Sequence, residues 1–467
     1  MIGNHKVLSA TLVLSFAVAG AFAQNSPGIT EVRSLLREAG KLIPEIEEFQ
    51  QSSAASNIAG QQVLAGDLAG ALETVHSVKR PQDSTASYGF DYYGIAWTLS
   101  KTGSWRVAMD LVRDLPDDDS KAIDYLGIAE SLAARGDFEH ALVAARAIPT
   151  IPKASSRFAD TLVGVCSQQF KAGDATAATA ILKEALEAVE SEQINAQGSG
   201  YTAAMWYPGA IQRLVVVGNT AAASMVLERL HRAAAEEKDP SRKAQLLRYL
   251  AASQARVGDF TAALLTAREL GEREQHDAAM LTIAGEQARQ GDAAGARRLV
   301  ADLSAKSWSN LAVEEFAEAL SKSGDSVGAL DTVKRIPAPE DRAYVLAQLA
   351  LQQAGRKEGG AALTAILTME NARRAGDAVN PFVFELSAVT RGILGDFPGA
   401  RQIVSNLSDE HSVWPLWNLT EQLVEAGKKS DAMALAHAQE FPRARAYALL
   451  GTATSMLERI EAERTHK

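Results

Sequence analysis

The sequence predicts an all-α protein, a solenoid of about eleven antiparallel helix hairpins. Three observations predict it. A short phrase recurs along the chain: Ile-Ala, a few residues, Gly-Asp, then Ala five residues after the Gly. Aromatic residues make up only 6% of the chain and strand-like alternation is scarce, whereas Ala, the best helix former, abounds. At 467 residues the chain exceeds what one core normally fills, roughly 250–300 residues. A repeat array escapes that limit, because each unit packs only on its neighbours.

The phrase is clearest at Ile128-Ala129, Gly136-Asp137, Ala141 and again at Ile283-Ala284, Gly291-Asp292, Ala296. The Gly positions serve as markers: Gly66, Gly103, Gly136, Gly173, Gly218, Gly258, Gly291, Gly324, Lys357, Gly395 and Gly427. From Gly258 to Lys357 the step is 33 residues three times running. The Ala five residues on is present in all eleven units, from Ala71 to Ala432, and four residues further the slot is always apolar. A spacing of four on one face is helical. Helix A therefore carries the Ile-Ala pair. The Gly ends it in the left-handed conformation, and the Asp that often follows caps helix B. Helix B ends near Leu115-Pro116, Ile148-Pro149 and Ile336-Pro337, where proline blocks continuation. Seven residues before the marker helix A is small (Ala59, Ala96, Ala129, Cys166, Ala251, Ala284, Ala317, Ala350, Ala388), so the two helices of a hairpin should cross closely.

With those residues in view, the unit resembles a divergent tetratricopeptide (TPR) repeat. In the third unit Ala129, Gly136-Asp137-Phe138, Ala141 and Pro149 stand where that pattern wants them, with Tyr125 near its first aromatic. The second helix-A aromatic of the pattern is here Leu132, and elsewhere Gln169, Gln254, Gln287 or Gln353; the large aromatic of helix B is Val, Leu or Ala. The resemblance spans about residues 45–440. It implies a right-handed TPR-like superhelix whose concave groove, lined by the A helices, binds a peptide or protein.

The ends are read separately. Lys6 precedes an apolar run, Val7 to Phe22, too short for the roughly 20 residues of a membrane span. Ala21-Phe22-Ala23 supplies a small-x-small cleavage pattern. Residues 1–23 are expected to be a cleaved signal peptide, placing the mature chain in an exported space, a bacterial periplasm or the exterior, without an integral membrane segment. Residues 24–50 should lead with a helix from Thr30 to Phe49. Residues 51–440 form the array, and residues 441–467 a polar capping helix. The segments Lys79–Phe90 and Glu190–Tyr201 are long connections.

Losing Lys6 moves the net charge from −10 to −11. An acidic chain without a basic block argues against nucleic acid and anionic lipid. Cys166 is the only cysteine, so no internal disulfide forms; its small-residue slot points to packing. No HExxH pair, phosphate-binding loop, GxSxG elbow or CxxC occurs, so neither metal nor cofactor is expected and the chain reads as non-catalytic. Asp117-Asp118-Asp119 reads as a solvated loop, and His276-Asp277 as a pair in a turn without a nucleophile. The best binding candidate is an aromatic stripe, Phe90, Tyr93 and Trp97, continued by Lys101; filling space between units is its structural alternative. A second cluster is Phe382, Trp414 and Trp417. Arg248 and Arg256 lie on the analogous face and suit a carboxylate. The expected function is a protein- or peptide-binding scaffold of the bacterial envelope, its partner unidentified. The alternatives are a structural spacer, or a helical-toroid enzyme with paired carboxylates acting on polysaccharide, against which an open array of near-33-residue units argues.

Overall fold

The computed structural model of the chain describes residues 27–79, 89–115, 118–148, 155–195, 201–301, 303, 310–336, 338–374 and 381–465. The expected signal peptide, Pro81, Pro116, Asp117, Pro149 and Pro337 lie outside them. The described residues form α-helices and no strand. They run α1 (Pro27–Lys41), α2 (Glu48–Leu64), α3 (Leu68–His76), α4 (Gly89–Lys101), α5 (Trp105–Arg113), α6 (Asp118–Ala134), α7 (Phe138–Arg146), α8 (Ser155–Lys171) and α9 (Ala175–Asn195). Then come α10 (Tyr201–Val216), α11 (Thr220–Glu236), α12 (Pro240–Arg256), α13 (Phe260–Arg268), α14 (Arg273–Arg289), α15 (Ala293–Val300), α16 (Asn310–Lys322) and α17 (Ser326–Val333). The last are α18 (Pro339–Gly355), α19 (Gly359–Arg374), α20 (Pro381–Ile393), α21 (Phe397–Val404), α22 (Asp409–Glu425), α23 (Lys429–His437) and α24 (Pro442–Thr465).

The repeat register holds at the level of single torsions. Ten markers are glycines with φ between 74° (Gly66) and 100° (Gly291), and the eleventh, Lys357, is the one non-glycine with positive φ among the described residues, at 64°. Each such turn closes helix A with paired backbone bonds, as where Gly136 N donates to Ala133 O and Asp137 N to Leu132 O. The Asp after the marker caps helix B: Asp67, Asp137, Asp174, Asp259, Asp292, Asp325 and Asp396 each accept a backbone N–H three residues on. All eleven Ala residues of helix B are fully buried, as are the small residues of helix A. The apolar slot four residues on is buried in ten units; Leu227 is half-buried, because the long α11 buries Ala222, Val226, Leu230 and Ala234 instead. The glutamines that replace the pattern's second aromatic make polar hairpin contacts. Gln62 and Gln254 accept from Thr74 and Thr266 of helix B, and Gln287 donates to the cap Asp292.

The chain divides into two compact units, one of residues Met1–Thr161 with Arg391–Lys467 and one of Leu162–Thr390. In the second unit the hairpins follow one another in sequence. One of its cores surrounds the fully buried Phe316, with Leu281, Ala296, Val345 and Val383.

In the first unit the two ends of the chain pair. The expected leading helix starts earlier and stops earlier than Thr30–Phe49: α1 ends at Lys41 and a 3₁₀ turn, Ile43–Glu45, carries Pro44, which cannot donate inside a helix. Helix α24 is not merely a polar cap. It buries Ala446, Tyr447, Leu449, Leu450, Ala453 and Leu457, and packs on α22 and α1. It continues the helix-A register. Arg459 Nη1 donates to the carbonyl of Val424 at 2.9 Å, as Arg135 does to Ser100 and Gln290 to Ala255 one unit apart. Helix α1 supplies the matching helix B. Its start meets the end of α24, where a Cβ on Gly28 would touch Ile460. Arg37 bonds the cap Asp67 of the next hairpin, as Arg297 bonds Asp325. The preceding hairpin reaches α1 through Lys429–Glu31 and through His437 at Glu38, which Arg445 of α24 also meets. Residues over 400 positions apart thus build a twelfth, composite hairpin, α24 with α1. An open end at this point of the array, as the sequence suggested, is therefore absent.

Candidate functional site

Three slots recur on the A helices of the first unit: thirteen, ten and six residues before the marker, one helical face. On α4 they hold Phe90, Tyr93 and Trp97, and on α22 Trp414, Trp417 and Glu421. The Phe90 side chain lies outside the described residues. Tyr93 is half-buried and its ring presses on Gly127 of α6, where an added Cβ would collide with Cε2. Burial, then the nearby carboxylates of Glu130 and Asp124, raise its hydroxyl pKa. Tyr93 thus fills space between units. Trp97 is likewise half-buried, and the Lys101 ammonium stands 4.9 Å from its ring centroid, a cation–π contact.

On α22, Trp414 is 39% exposed. Trp417 donates from Nε1 to Glu421, and its ring lies 5.8 Å from that of Tyr447 on α24. Tyr447 is 6% exposed, and its hydroxyl accepts from the exposed Asn57 of α2. Next to Asn57, Ser56 Oγ accepts from Gly94 N of α4, where the two helices touch backbone to backbone. One row of side chains therefore runs Trp414, Trp417, Tyr447 and Asn57 to the close crossing beside Tyr93. The two aromatic clusters, more than 300 residues apart in sequence, belong to one surface because α24 stands between α22 and α2.

Glu421 is the most perturbed carboxyl described. Burial pushes its pKa up to about 7; the Trp417 hydrogen bond opposes this, and Glu458 and Glu425 add to it. Asn57, Tyr447, Glu421, Glu425 and Glu458 escaped the sequence reading. The missed signal was Gly451, which matches Gly94 and Gly127 in register and would have placed α24 in the array.

The remaining candidates do not join this row. Phe382 is exposed on α20 and belongs to the other unit. There too, Arg248 is exposed, while Arg256 is taken: its Nε and Nη2 donate to Glu286 at 3.0 and 2.8 Å, and Arg289 meets the same carboxylate. His276 and Asp277 sit 3.2 Å apart on helix α14 rather than in a turn. Cys166 is buried, and its thiol pKa rises to about 11 through desolvation. Among the described residues no three His, Cys, Asp or Glu side chains are placed to hold a metal ion, and no helix is long and apolar enough to cross a membrane.

No family model matches the chain, and no curated protein matches it. Solved structures similar to it include Ton1535 from Thermococcus onnurineus NA1, 15% identical over 85% of this chain and 98% of that one, TM-score 0.28. The pentatricopeptide repeat protein PPR10 from maize is 14% identical over 94% of this chain and 69% of its own, TM-score 0.33. A circular tandem repeat protein with novel repeat topology is 14% identical, over 94% and 98%, TM-score 0.19. The chain is a helical-repeat protein with divergent TPR-like hairpins, on the strength of its own torsions, caps and buried slots.

Proposed function

We propose that this protein is a non-catalytic, exported scaffold that binds a peptide or protein on the helix-A face of its first unit. The row of Trp414, Trp417, Tyr447 and Asn57 carries this reading. A large aromatic left partly exposed beside polar groups is the composition of an interface anchor rather than of a core. The export signal at residues 1–23 supports a periplasmic or secreted location. Affinity capture from envelope extract with the mature chain tests it. Capture of the same partner by Trp414→Ala at undiminished yield would remove the site.

A second reading, an enzyme cutting polysaccharide with paired carboxylates, gains support from two observations. The chain-end pairing weakens the argument from an open array, and Glu421 titrates where a general acid works. Release of reducing ends from envelope polysaccharide, abolished by Glu421→Gln, would favour it over the scaffold.

A further inference from the structure

The surface formed by α22 and α24 carries more than aromatic area. Along α22, Trp414, Trp417, Glu421 and Glu425 lie at i, i+3, i+7 and i+11, one continuous face. Glu458 of α24 bears on Glu421 from the neighbouring helix. Glu425 and Glu458 are exposed, and Glu421 is half-buried. Among the described residues no ion pair joins any of the three to a basic side chain. Arg459, next to Glu458, is held on the Val424 carbonyl at the end of α22. The carboxylates are not clustered tightly enough for a metal ion. The face is therefore anionic and uncompensated, with the Trp417 indole hydrogen-bonded to Glu421.

We propose that this face docks a peptide segment bearing lysine or arginine, with the cationic head among Glu421, Glu425 and Glu458 and its stem against Trp414 and Trp417. The inference rests on the scaffold reading above and adds the chemistry of the partner. Charge complementarity is the argument: a cation supplies what three carboxylates here lack, and indole faces attract ammonium and guanidinium groups. The titration of Glu421 agrees with it. Its charged neighbours from the two helices are Glu425 of α22 and Glu458 of α24, so near neutral pH a proton partly takes the place of the missing cation. An arriving cation displaces that proton, and binding should tighten as pH rises through 7.

The test uses the mature chain and three fluorescein-labelled decapeptides of matched length: lysine-rich, glutamate-rich and uncharged. Anisotropy should show the lysine-rich peptide binding about tenfold more tightly at pH 8 than at pH 6. The double variant Glu421→Gln, Glu425→Gln should weaken it about tenfold at pH 8 and flatten the pH dependence. Because the whole chain is acidic, a control removes two exposed acids from B helices, Glu139→Gln with Glu228→Gln; this should leave binding unchanged. Equal losses in both double variants would overturn the proposal, as would equal binding of the uncharged peptide. Charge-independent binding abolished by Trp414→Ala would overturn this inference alone and leave the scaffold reading standing. Binding of no peptide, joined to failure of envelope capture, would overturn both.

Discussion

The two units use one repeat phrase but bring their A helices together differently. In the first, the slot nine residues before the marker is glycine at Gly94 and Gly127 and asparagine at Asn57 and Asn418, and Gly451 matches it in α24. A Cβ on these glycines would strike the Ser56 carbonyl, the Tyr93 ring, or the Trp417 carbonyl and Thr420 hydroxyl, so the backbones meet closely. In the second unit the same slot is glycine again at Gly164 and Gly209, where a Cβ on Gly209 would meet open space, and it holds Tyr249, Thr282, Glu315, Gln348 and Leu386 on α12, α14, α16, α18 and α20. There Arg256, Glu286 and Arg289 tie α12 to α14, and Arg289 Nη2 reaches the Glu315 carbonyl of α16 at 3.5 Å. The difference lies in how closely neighbouring A helices approach at these crossings, not in the slot residue alone. Beside the close crossings of the first unit, aromatic and acidic residues lie on neighbouring A helices. Where a long side chain fills the slot, polar groups are spent on one another.

The comparison breaks most visibly at the glycines. Gly94→Ala should destabilise the protein by about 2–3 kcal/mol, since neither backbone at the crossing can yield cheaply. Gly285→Ala, on α14 of the second unit, finds only ordinary contacts at 3.8–3.9 Å and should gain up to about 1 kcal/mol from helix propensity. Urea midpoints measure both. Shifts of the same sign would mean that the helices of the first unit are no closer than those of the second.

Within the first unit, the aromatic stripe should split between packing and binding. Tyr93→Ala removes a ring wedged on Gly127 and should cost about 2–3 kcal/mol, somewhat below a full core truncation. Trp97→Ala should cost less, about 1 kcal/mol, because its ring faces the Lys101 side chain rather than wedging on a neighbouring helix. The two melting curves decide it: if Trp97 is the more damaging change, the assignment of filler and surface is reversed.

A pH titration distinguishes the units further. The folded-state pKa of Glu421 lies near 7, above the ordinary carboxylate value of 4.5. Between those values the folded state binds more protons than the unfolded chain, so stability falls as pH rises. The loss should be roughly 1–2 kcal/mol, less than full linkage allows because the carboxyl is partly solvated. Denaturant midpoints at pH 5 and pH 7.5 should converge in Glu421→Gln. In the second unit, Glu315 is also raised by burial but lies near Arg289 and Arg256, so Glu315→Gln should flatten the profile less.

Much of the fold was legible because it is local. A marker, a cap and two small slots are short-range demands, and the sequence repeats them. The twelfth hairpin was not legible because its helices share no turn: α24 carries Ile460 where the glycine marker would stand, and its partner α1 lies more than 400 residues away in sequence. Nothing in the composition of residues 27–41 names residues 442–465 as their partner. The site suffered for the same reason. Trp414, Trp417 and Trp97 were visible as exposed bulk on helical faces, whereas Tyr447 and Asn57 gain meaning only once the chain ends are paired. Arg256 misled because a basic residue on a helix-A face looks free until Glu286, one unit on, is seen beside it.

The smallest effect tests whether the marker torsion is equally demanding in both units. Lys357 holds φ of 64° in the second unit, in a stretch where the 33-residue step leaves the turn no slack. A side chain in the left-handed region costs roughly 1 kcal/mol or more, a strain that glycine avoids. Part of that gain is offset, since glycine loses more conformational freedom on folding. Lys357→Gly should therefore stabilise by about 0.5–1 kcal/mol, while Gly427→Ala, at the corresponding turn of the first unit, should destabilise by about 1 kcal/mol. Opposite shifts in denaturant midpoint are the expected result. If Lys357→Gly destabilises, the lysine makes a contact worth more than the torsional strain it bears, and this marker is not interchangeable with the other ten.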